Sequence, residues 1–226
     1  ILKDMLLEIP NIPHDSVPIG ASEKENVIKK DCSKKKKINF KPKSHIDIAQ
    51  DLDLIDFEAG AKISGAGFPL YKGNGALLER ALINFMIDFH SKNYNYTEFF
   101  TPFLVKEKSA ITTGQLPKFY EDMYHTEKDK LYLIPTAEVP LTNIHQDDIL
   151  EVSDLPKYYL ANSACFRREA GSYGKDTKGL LRVHQFNKVE LVKFVVVFKK
   201  WNCSNRALYS SISMRYTVFY FYNIFF

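Results

Sequence analysis

The stretch from Ala164 to Phe194 carries many charges on a pattern that otherwise favours two strands. We expect extended segments at residues 158–168 and 180–194, and the glycines between them favour a long antiparallel hairpin loop. Successive side chains of a strand point to opposite faces. The second segment therefore places on one face Arg182, His184, Phe186, Lys188 and Glu190, and on the other face Val183, Val189 and Leu191.

The residue types on the first face suit a ligand that combines phosphate, a flat ring and an amine. A guanidinium fork matches phosphate oxygens, an aromatic ring can stack, and a carboxylate accepts from an ammonium or hydroxyl. Arg167 and Glu169 share a face in the same way. The alternative is a solvated face with cross-strand ion pairs, which explains any single pair of charges better. It explains Phe186 less well, because an exposed phenylalanine gains little.

Composition limits the class of protein. The chain has 226 residues, 45% hydrophobic and 26% charged, which predicts one or two soluble globular domains. The net charge of +4 permits a nucleic-acid partner without requiring one. Cys32, Cys165 and Cys203 lie far apart, which argues against a disulfide framework or a cysteine zinc site and fits a reducing cytoplasm. No apolar run approaches the length of a membrane span.

The chain divides by composition into a start, a linker and a compact α/β body. Residues 1–20 predict the end of a helix and then a proline-punctuated segment, and we expect sequence to be missing before Ile1. Residues 21–44 contain KKDCSKKKK, which we interpret as an exposed linker. An RNA-facing patch is the alternative, although no aromatic residue interleaves with the lysines. The body extends from about residue 47 to 187.

Two further patterns in the body have open interpretations. A long helix is expected after the glycines at 73 and 75, with an apolar stripe that is either core or a subunit interface: Leu78, Leu82, Phe85 and Phe89. Thr136 and Glu138 fall in LYLIPTAEVPL, which we interpret as a strand broken by prolines, so the two could share a face. They could hold a primary ammonium or be an ordinary surface pair.

Six blocks in order carry a resemblance to a known family. They are IPNIPHDSVPIG, KGNGALLERALINF, TGQLPKF, LYLIPTAEVPLTN, CFRREAG and GLLRVHQFNKVELVKF. Together they closely resemble bacterial-type seryl-tRNA synthetase, a class II aminoacyl-tRNA synthetase, from residue 1 to about 194. The resemblance implies an α+β fold, with the class II catalytic domain built as an antiparallel sheet flanked by helices and here incomplete.

The resemblance also implies roles for individual residues. For ATP, the implied residues are Arg167 at the α-phosphate, Glu169 at the adenine edge, Arg182 at the γ-phosphate and Phe186 stacked on adenine, with Arg168 and Val183 beside them. Arg167 and Arg182 are the implied catalytic residues. For serine, they are Thr136, Ala137, Glu138 and Glu190. Lys175 and Lys178 resemble the loop that meets the tRNA acceptor end.

The implied reaction is serine–tRNA ligation in the cytoplasm. ATP, with Mg²⁺, activates serine to seryl-adenylate, and the acyl group passes to tRNA(Ser); no metal-binding residue is assigned. Residues 76–102 resemble the first class II motif and imply a homodimer. Positioning and fixed charge supply most of such catalysis. We therefore expect His184 to be a packing or hydrogen-bonding residue and not a catalytic base.

Departures from the family divide the chain into three expected regions. Residues 1–44 resemble the remnant of a coiled-coil tRNA-binding arm with its linker, and residues 45–194 a partial catalytic core. Residues 195–226 match nothing in the family and contain no Asp, Glu, Gly or Pro, which favours a shifted reading frame. The third class II motif is missing, so we expect this chain to be an inactive fragment. The alternative function is a non-catalytic RNA-binding or dimerising derivative of the fold.

Overall fold

The computed structural model describes residues 2–9, 13, 16–30, 39–169 and 179–196. The chain forms two compact units, Ile1–Ser44 and His45–Phe226. In the first unit the described residues form helix α1 (Leu2–Glu8) and one 3₁₀ turn at Glu23–Glu25. Helix α1 confirms the predicted helix near the start. Residues 21–30 are exposed, as expected for the linker, and residues 31–38, which carry most of its lysines, lie outside the described part.

The second unit mixes short helices with short strands and two long strands, which confirms the α+β class. Its elements are α2 (His45–Asp51), β1 (Ile55–Asp56), α3 (Phe57–Ser64), β2 (Leu70–Tyr71), α4 (Asn74–Tyr94), β3 (Thr97–Glu98), β4 (Leu104–Lys106), α5 (Glu107–Thr112), β5 (His125–Thr126), β6 (Leu131–Leu133), α6 (Glu138–Asn143), β7 (Lys157–Phe166) and β8 (Gln185–Phe194). Single 3₁₀ turns lie at Tyr120–Asp122 and Val152–Asp154. None of the helices in the described part is both long and apolar enough to cross a bilayer.

The predicted antiparallel hairpin is the longest strand pairing among the described residues. Strands β7 and β8 pair from Lys157 opposite Phe194 to Phe166 opposite Gln185. Strand β3 adds to β7 in parallel, which gives the order β3-β7-β8. Two smaller sheets, β1-β2 and β4-β6-β5, accompany it. The hairpin loop at residues 170–178 lies outside the described part.

The second hairpin strand begins at Gln185 and not near residue 180 as predicted. The His184 N–H donates to the Gly67 carbonyl at 2.9 Å instead of to strand β7. The pairing ladder therefore ends there. Gly67 has a φ of +82°, and a Cβ at this position would lie 2.4 Å from Cδ2 of His184, so the close approach requires glycine. Arg182 and His184 therefore lie before the strand, in a bent segment, and their predicted place on the strand face was wrong.

Alternation along β8 is confirmed from Phe186 onward. Val189 and Leu191 pack against a layer that includes residues of helix α4, namely Ile83, Met86 and Ile87. Val192 and Phe194 belong to a separate cluster on the opposite face. Val183 departs from the prediction, because it packs with Phe186 and Cys165 instead of facing away from them. The alternation rule does not extend to Val183, since the chain is not in a strand there.

The predicted helix is confirmed as α4, but a different stripe faces the core. The core-facing residues are Ile83, Met86 and Ile87. The predicted stripe is mostly exposed in the single chain, with Leu78 at 48%, Phe85 at 63% and Phe89 at 41% of full exposure. Successive residues of a helix point in directions about 100° apart, so the two stripes lie on different faces of α4. The core interpretation was therefore wrong, and the subunit-interface interpretation stays a prediction.

The predicted strand through Thr136 and Glu138 was wrong. Strand β6 ends at Leu133, and Glu138 is the first residue of α6. Pro140 lies in the first turn of α6, where a missing N–H removes no helical hydrogen bond. Thr136 and Glu138 therefore lie on either side of a strand-to-helix turn and do not share a strand face.

Replacing Leu160 with alanine should destabilise the second unit by about 2–5 kcal/mol, because a buried leucine leaves a cavity when it is truncated. Leu160 is fully buried at the centre of β7, opposite Leu191. Urea-induced unfolding measures the change in the free energy of unfolding. Leu181→Ala is the matched control, because Leu181 is 60% exposed and should cost little. Equal losses for the two variants would contradict the described core.

Candidate functional site

The hairpin brings long β8 side chains over short β7 side chains on one face. The cross-strand pairs are Ala161 with Glu190, Ser163 with Lys188, and Cys165 with Phe186. The three β7 residues are fully buried. The longer side chains lie across them, so the face is not a solvated surface. A lysine and a glutamate are buried with this face, which requires that each has a partner.

Thr136, Lys188 and Glu190 form a buried polar cluster. The Thr136 hydroxyl donates to Oε2 of Glu190 at 2.6 Å. The Lys188 ammonium donates to Oγ1 of Thr136, also at 2.6 Å, and forms an ion pair with Oε2 of Glu190. Only 9% of the Lys188 side chain and 5% of the Glu190 side chain are exposed. The structure thus brings together two of the four residues predicted for serine, and adds a lysine.

The other two predicted serine residues support this cluster through the backbone. The Glu138 N–H donates to Oγ1 of Thr136 at 3.2 Å, and the Glu138 side chain is half-buried. Ala137 is fully buried, and its carbonyl accepts the N–H of Leu141 in helix α6. The turn into α6 therefore positions the Thr136 hydroxyl against strand β8.

Arg167 and Phe186 meet next to the polar cluster. Arg167 follows the end of β7, and its guanidinium carbon lies 5.2 Å from the centre of the Phe186 ring. Val183 and Cys165 pack against Phe186. A positive guanidinium and a flat heterocycle are both favourable partners for the face of an aromatic ring. The contact therefore marks a place where a planar ligand group can bind.

Arg182 and Glu169 pair with each other at the entrance to the hairpin loop. Nη1 of Arg182 donates to Oε2 of Glu169 at 3.2 Å, with 51% of the Arg182 side chain exposed. Glu169 has a φ of +50°, in the left-handed region that residues other than glycine rarely adopt. An exposed ion pair of this kind contributes little to stability. The ion-pair alternative raised from the sequence thus accounts for this pair.

Arg168 and His184 fasten the hairpin to the segment around Tyr124. Arg168 donates from Nε to the Met123 carbonyl at 3.3 Å, and its guanidinium carbon lies 4.8 Å from the centre of the Tyr124 ring. The Tyr124 hydroxyl is hydrogen-bonded to Nδ1 of His184 at 2.8 Å, and the His184 ring stacks on Phe68. The expectation that His184 packs and forms hydrogen bonds is confirmed.

Burial raises the pKa of two weak acids of this region. Burial raises the pKa of the Cys165 thiol, while its hydrogen bond with Ser163 and the nearby charges of Lys188 and Arg167 oppose that change. Burial also raises the pKa of Tyr124, against the opposing charge of Arg168. Cys165 is therefore a neutral, buried residue beneath the longer β8 side chains and not a reactive thiolate.

Two predicted site residues lie outside the described part of the chain, and two residues of the observed site had no predicted role. Lys175 and Lys178 fall in residues 170–178, outside the described part. The sequence analysis predicted the correct face for Lys188 but no role. Its central position between Phe186 and Glu190 could have indicated one. Tyr124 carried no sequence signal, because its contact with His184 spans 60 residues. Within the described ranges, no group of three His, Cys, Asp or Glu side chains could hold a metal.

A comparison with protein families matches residues 120–220 to the tRNA synthetase class II core domain (G, H, P, S and T). That range contains the hairpin and the polar cluster. It also extends past Phe194, and the expectation that residues 195–226 are foreign to the family stays a prediction.

Curated relatives and solved structures are similar to the chain over most of its length. The serine–tRNA ligase from Chloroherpeton thalassium is 58% identical to the chain over 197 residues, and that from Geobacillus thermodenitrificans is 58% identical over 194 residues. Each match covers 86% of this chain and 46% of the relative. The crystal structure of seryl-tRNA synthetase from Pyrococcus horikoshii complexed with ATP has a TM-score of 0.77 at 36% identity, covering 85% of this chain and 47% of that one.

A second structure agrees, namely cytoplasmic serine–tRNA ligase from Naegleria fowleri in complex with AMP, with a TM-score of 0.74 at 34% identity. It covers 84% of this chain and 46% of that chain. The chain thus spans about half the length of the curated relatives it matches. In its fold, its hairpin and these matches, the chain is similar to the tRNA synthetase class II core domain and to the serine–tRNA ligases.

Proposed function

We propose that this chain carries the ATP- and serine-binding hairpin of a serine–tRNA ligase. The observation that carries the proposal is the buried contact of Thr136 with Glu190, on the hairpin face that also carries the Arg167–Phe186 contact. A hydroxyl and a carboxylate suit the small polar amino acid, and the guanidinium and aromatic ring suit the nucleotide. The similar structures from Pyrococcus horikoshii and Naegleria fowleri, with ATP and AMP, support the nucleotide half of the proposal.

The proposed reaction needs no nucleophilic side chain. A carboxylate oxygen of serine attacks the α-phosphorus of ATP, the bond to the bridging oxygen breaks, and pyrophosphate leaves with its electron pair. A hydroxyl of the terminal ribose of tRNA(Ser) then attacks the carbonyl carbon of the seryl-adenylate, an ester forms, and AMP and the hydroxyl proton leave. The protein contributes orientation and fixed charge. This assigns Arg167 to the α-phosphate, and Arg182 to the γ-phosphate after exchanging its bond with Glu169.

Adenine would replace the Arg167 guanidinium on the Phe186 ring. Both groups favour that aromatic face, so binding of the base releases Arg167 towards the α-phosphate. Glu169, Arg168 and Val183 would surround the adenine edge. The existing guanidinium contact keeps Phe186 covered and the arginine within reach of the position that the nucleotide occupies.

Magnesium belongs to the proposal as a companion of ATP. It is usually held by one or two carboxylates together with substrate phosphates and would neutralise charge on the departing pyrophosphate. Glu169, which pairs with Arg182, is a candidate carboxylate for this ion, and no step is assigned to the metal.

Serine selectivity would come from the carboxylate of Glu190. A buried carboxylate that accepts from the substrate hydroxyl is left short of one donor when alanine binds instead. Thr136, Ala137 and Glu138 form the turn that holds this carboxylate in place. Serine should therefore bind more tightly than alanine by more than their difference in size explains.

A second copy of the chain and tRNA complete the proposed partners. The exposed stripe of α4, with Phe85 and Phe89 stacked 5.8 Å apart, suits a homodimer interface within residues 76–102. Lys175 and Lys178 would meet the tRNA acceptor end, and the proposed location is the cytoplasm. A non-catalytic derivative, the alternative from the sequence, would lack saturable serine binding.

Arg167→Ala should weaken ATP binding by roughly 10- to 100-fold, because a hydrogen bond to a charged group is worth about 1.5–3 kcal/mol. Isothermal titration of ATP into the 226-residue chain measures the affinity. Lys157→Ala, at the opposite end of β7, is the control and should bind ATP as the parent does. An unchanged affinity in a folded Arg167→Ala variant would remove Arg167 from the nucleotide site.

Glu190→Gln should weaken serine binding about tenfold or more while changing ATP binding little, because the carboxylate contacts the amino acid and not the nucleotide. Separate titrations with L-serine and ATP give the two affinities. Glu58→Gln, an exposed glutamate of α3, is the control. If Glu190→Gln weakened both ligands equally, Glu190 would not belong to the serine subsite.

A further inference from the structure

Lys188 is the one member of the buried polar cluster that has no role in the proposed reaction. Its ammonium contacts both groups assigned to serine, Thr136 and Glu190. We propose that Lys188 is a positioning residue that fixes the hydrogen-bond directions of the serine subsite, so that Oε1 of Glu190 is the atom that receives the substrate. This inference rests on the proposed function.

Counting donors and acceptors fixes the direction of the Thr136 hydroxyl. A hydroxyl has one donor and two acceptor lone pairs. The Lys188 ammonium and the Glu138 N–H both donate to Oγ1 of Thr136, at 2.6 Å and 3.2 Å. Both lone pairs are therefore occupied, and the hydroxyl hydrogen must point to Oε2 of Glu190, 2.6 Å away. Thr136 acts on the substrate through Glu190 and not by accepting from it directly.

The same contacts select one oxygen of Glu190 for the ligand. The bond from Thr136 and the ion pair with Lys188 both reach Oε2. A ligand ammonium or hydroxyl can therefore bind Oε1 without displacing either partner. Lys188 also compensates the charge of Glu190 before any ligand arrives, which a buried carboxylate requires. A preformed acceptor loses less conformational entropy when the substrate binds.

A purely structural lysine predicts a different pattern of effects. Such a residue would alter the stability of the fold and both ligand affinities together. A positioning residue alters the serine affinity selectively and acts through Thr136, so removing either partner should remove much of the same effect. Non-additivity between residues in one hydrogen-bond network measures that coupling.

The test compares Lys188→Met, Thr136→Val and the double variant in the 226-residue chain. Lys193→Met is the matched control, because Lys193 lies on the same strand but packs over Tyr158 on the other face. We expect Lys188→Met to weaken L-serine binding on the order of 30-fold with ATP binding nearly unchanged, since truncating a buried charge partner is costly. Thr136→Val keeps the Lys188–Glu190 pair and provides the readout if Lys188→Met does not fold.

The outcomes separate this inference from the proposed function. Support consists of selective loss of serine affinity, a double variant less impaired than the product of the single effects, and a control that binds like the parent. A parent that binds serine, with Lys188→Met or Thr136→Val binding it equally well, overturns the positioning role alone. A parent without saturable serine binding overturns the proposed function and this inference with it.

Discussion

The pairing of β7 with β8 is the constraint on which the rest of the site depends. Its ten-residue register places Ala161, Ser163 and Cys165 opposite the long side chains of β8. On one face of the hairpin Leu160, Val189 and Leu191 pack on α4, while the other face can bury a lysine and a glutamate. A shift by one residue would exchange the two faces and bury charge against the helix. The register is therefore strongly specified.

The buried charges are tolerated because each has a partner on the same face of the hairpin. Lys188 compensates Glu190, and the Thr136 hydroxyl completes the cluster. Burying charges costs desolvation free energy, and apolar residues of similar volume often stabilise a fold equally well. Retaining them is physically reasonable where the charges meet a polar substrate. The neighbouring Arg167–Phe186 contact lies on the same face, at the proposed nucleotide site.

The strand period predicted the hairpin and the inward set Phe186, Lys188 and Glu190, because alternation is a local property of extended chain. The strand period failed where contacts with residues distant in sequence determine the backbone conformation. His184 leaves the ladder because its N–H bonds to Gly67, and Thr136 lies in a turn because α6 begins two residues later. The core stripe of α4 was misplaced because periodicity finds an apolar face without identifying what covers it.

The most direct measurement of the central claim is backbone NMR of the isotope-labelled chain during titration with a non-hydrolysable analogue of seryl-adenylate. We expect saturable shifts concentrated at Thr136, Arg167, Phe186 and Glu190, with the α4 face of the hairpin, marked by Leu191, changing little. Shifts centred on the α4 face, or no saturable shifts in the folded chain, would contradict the assignment of this hairpin face as the serine and ATP site.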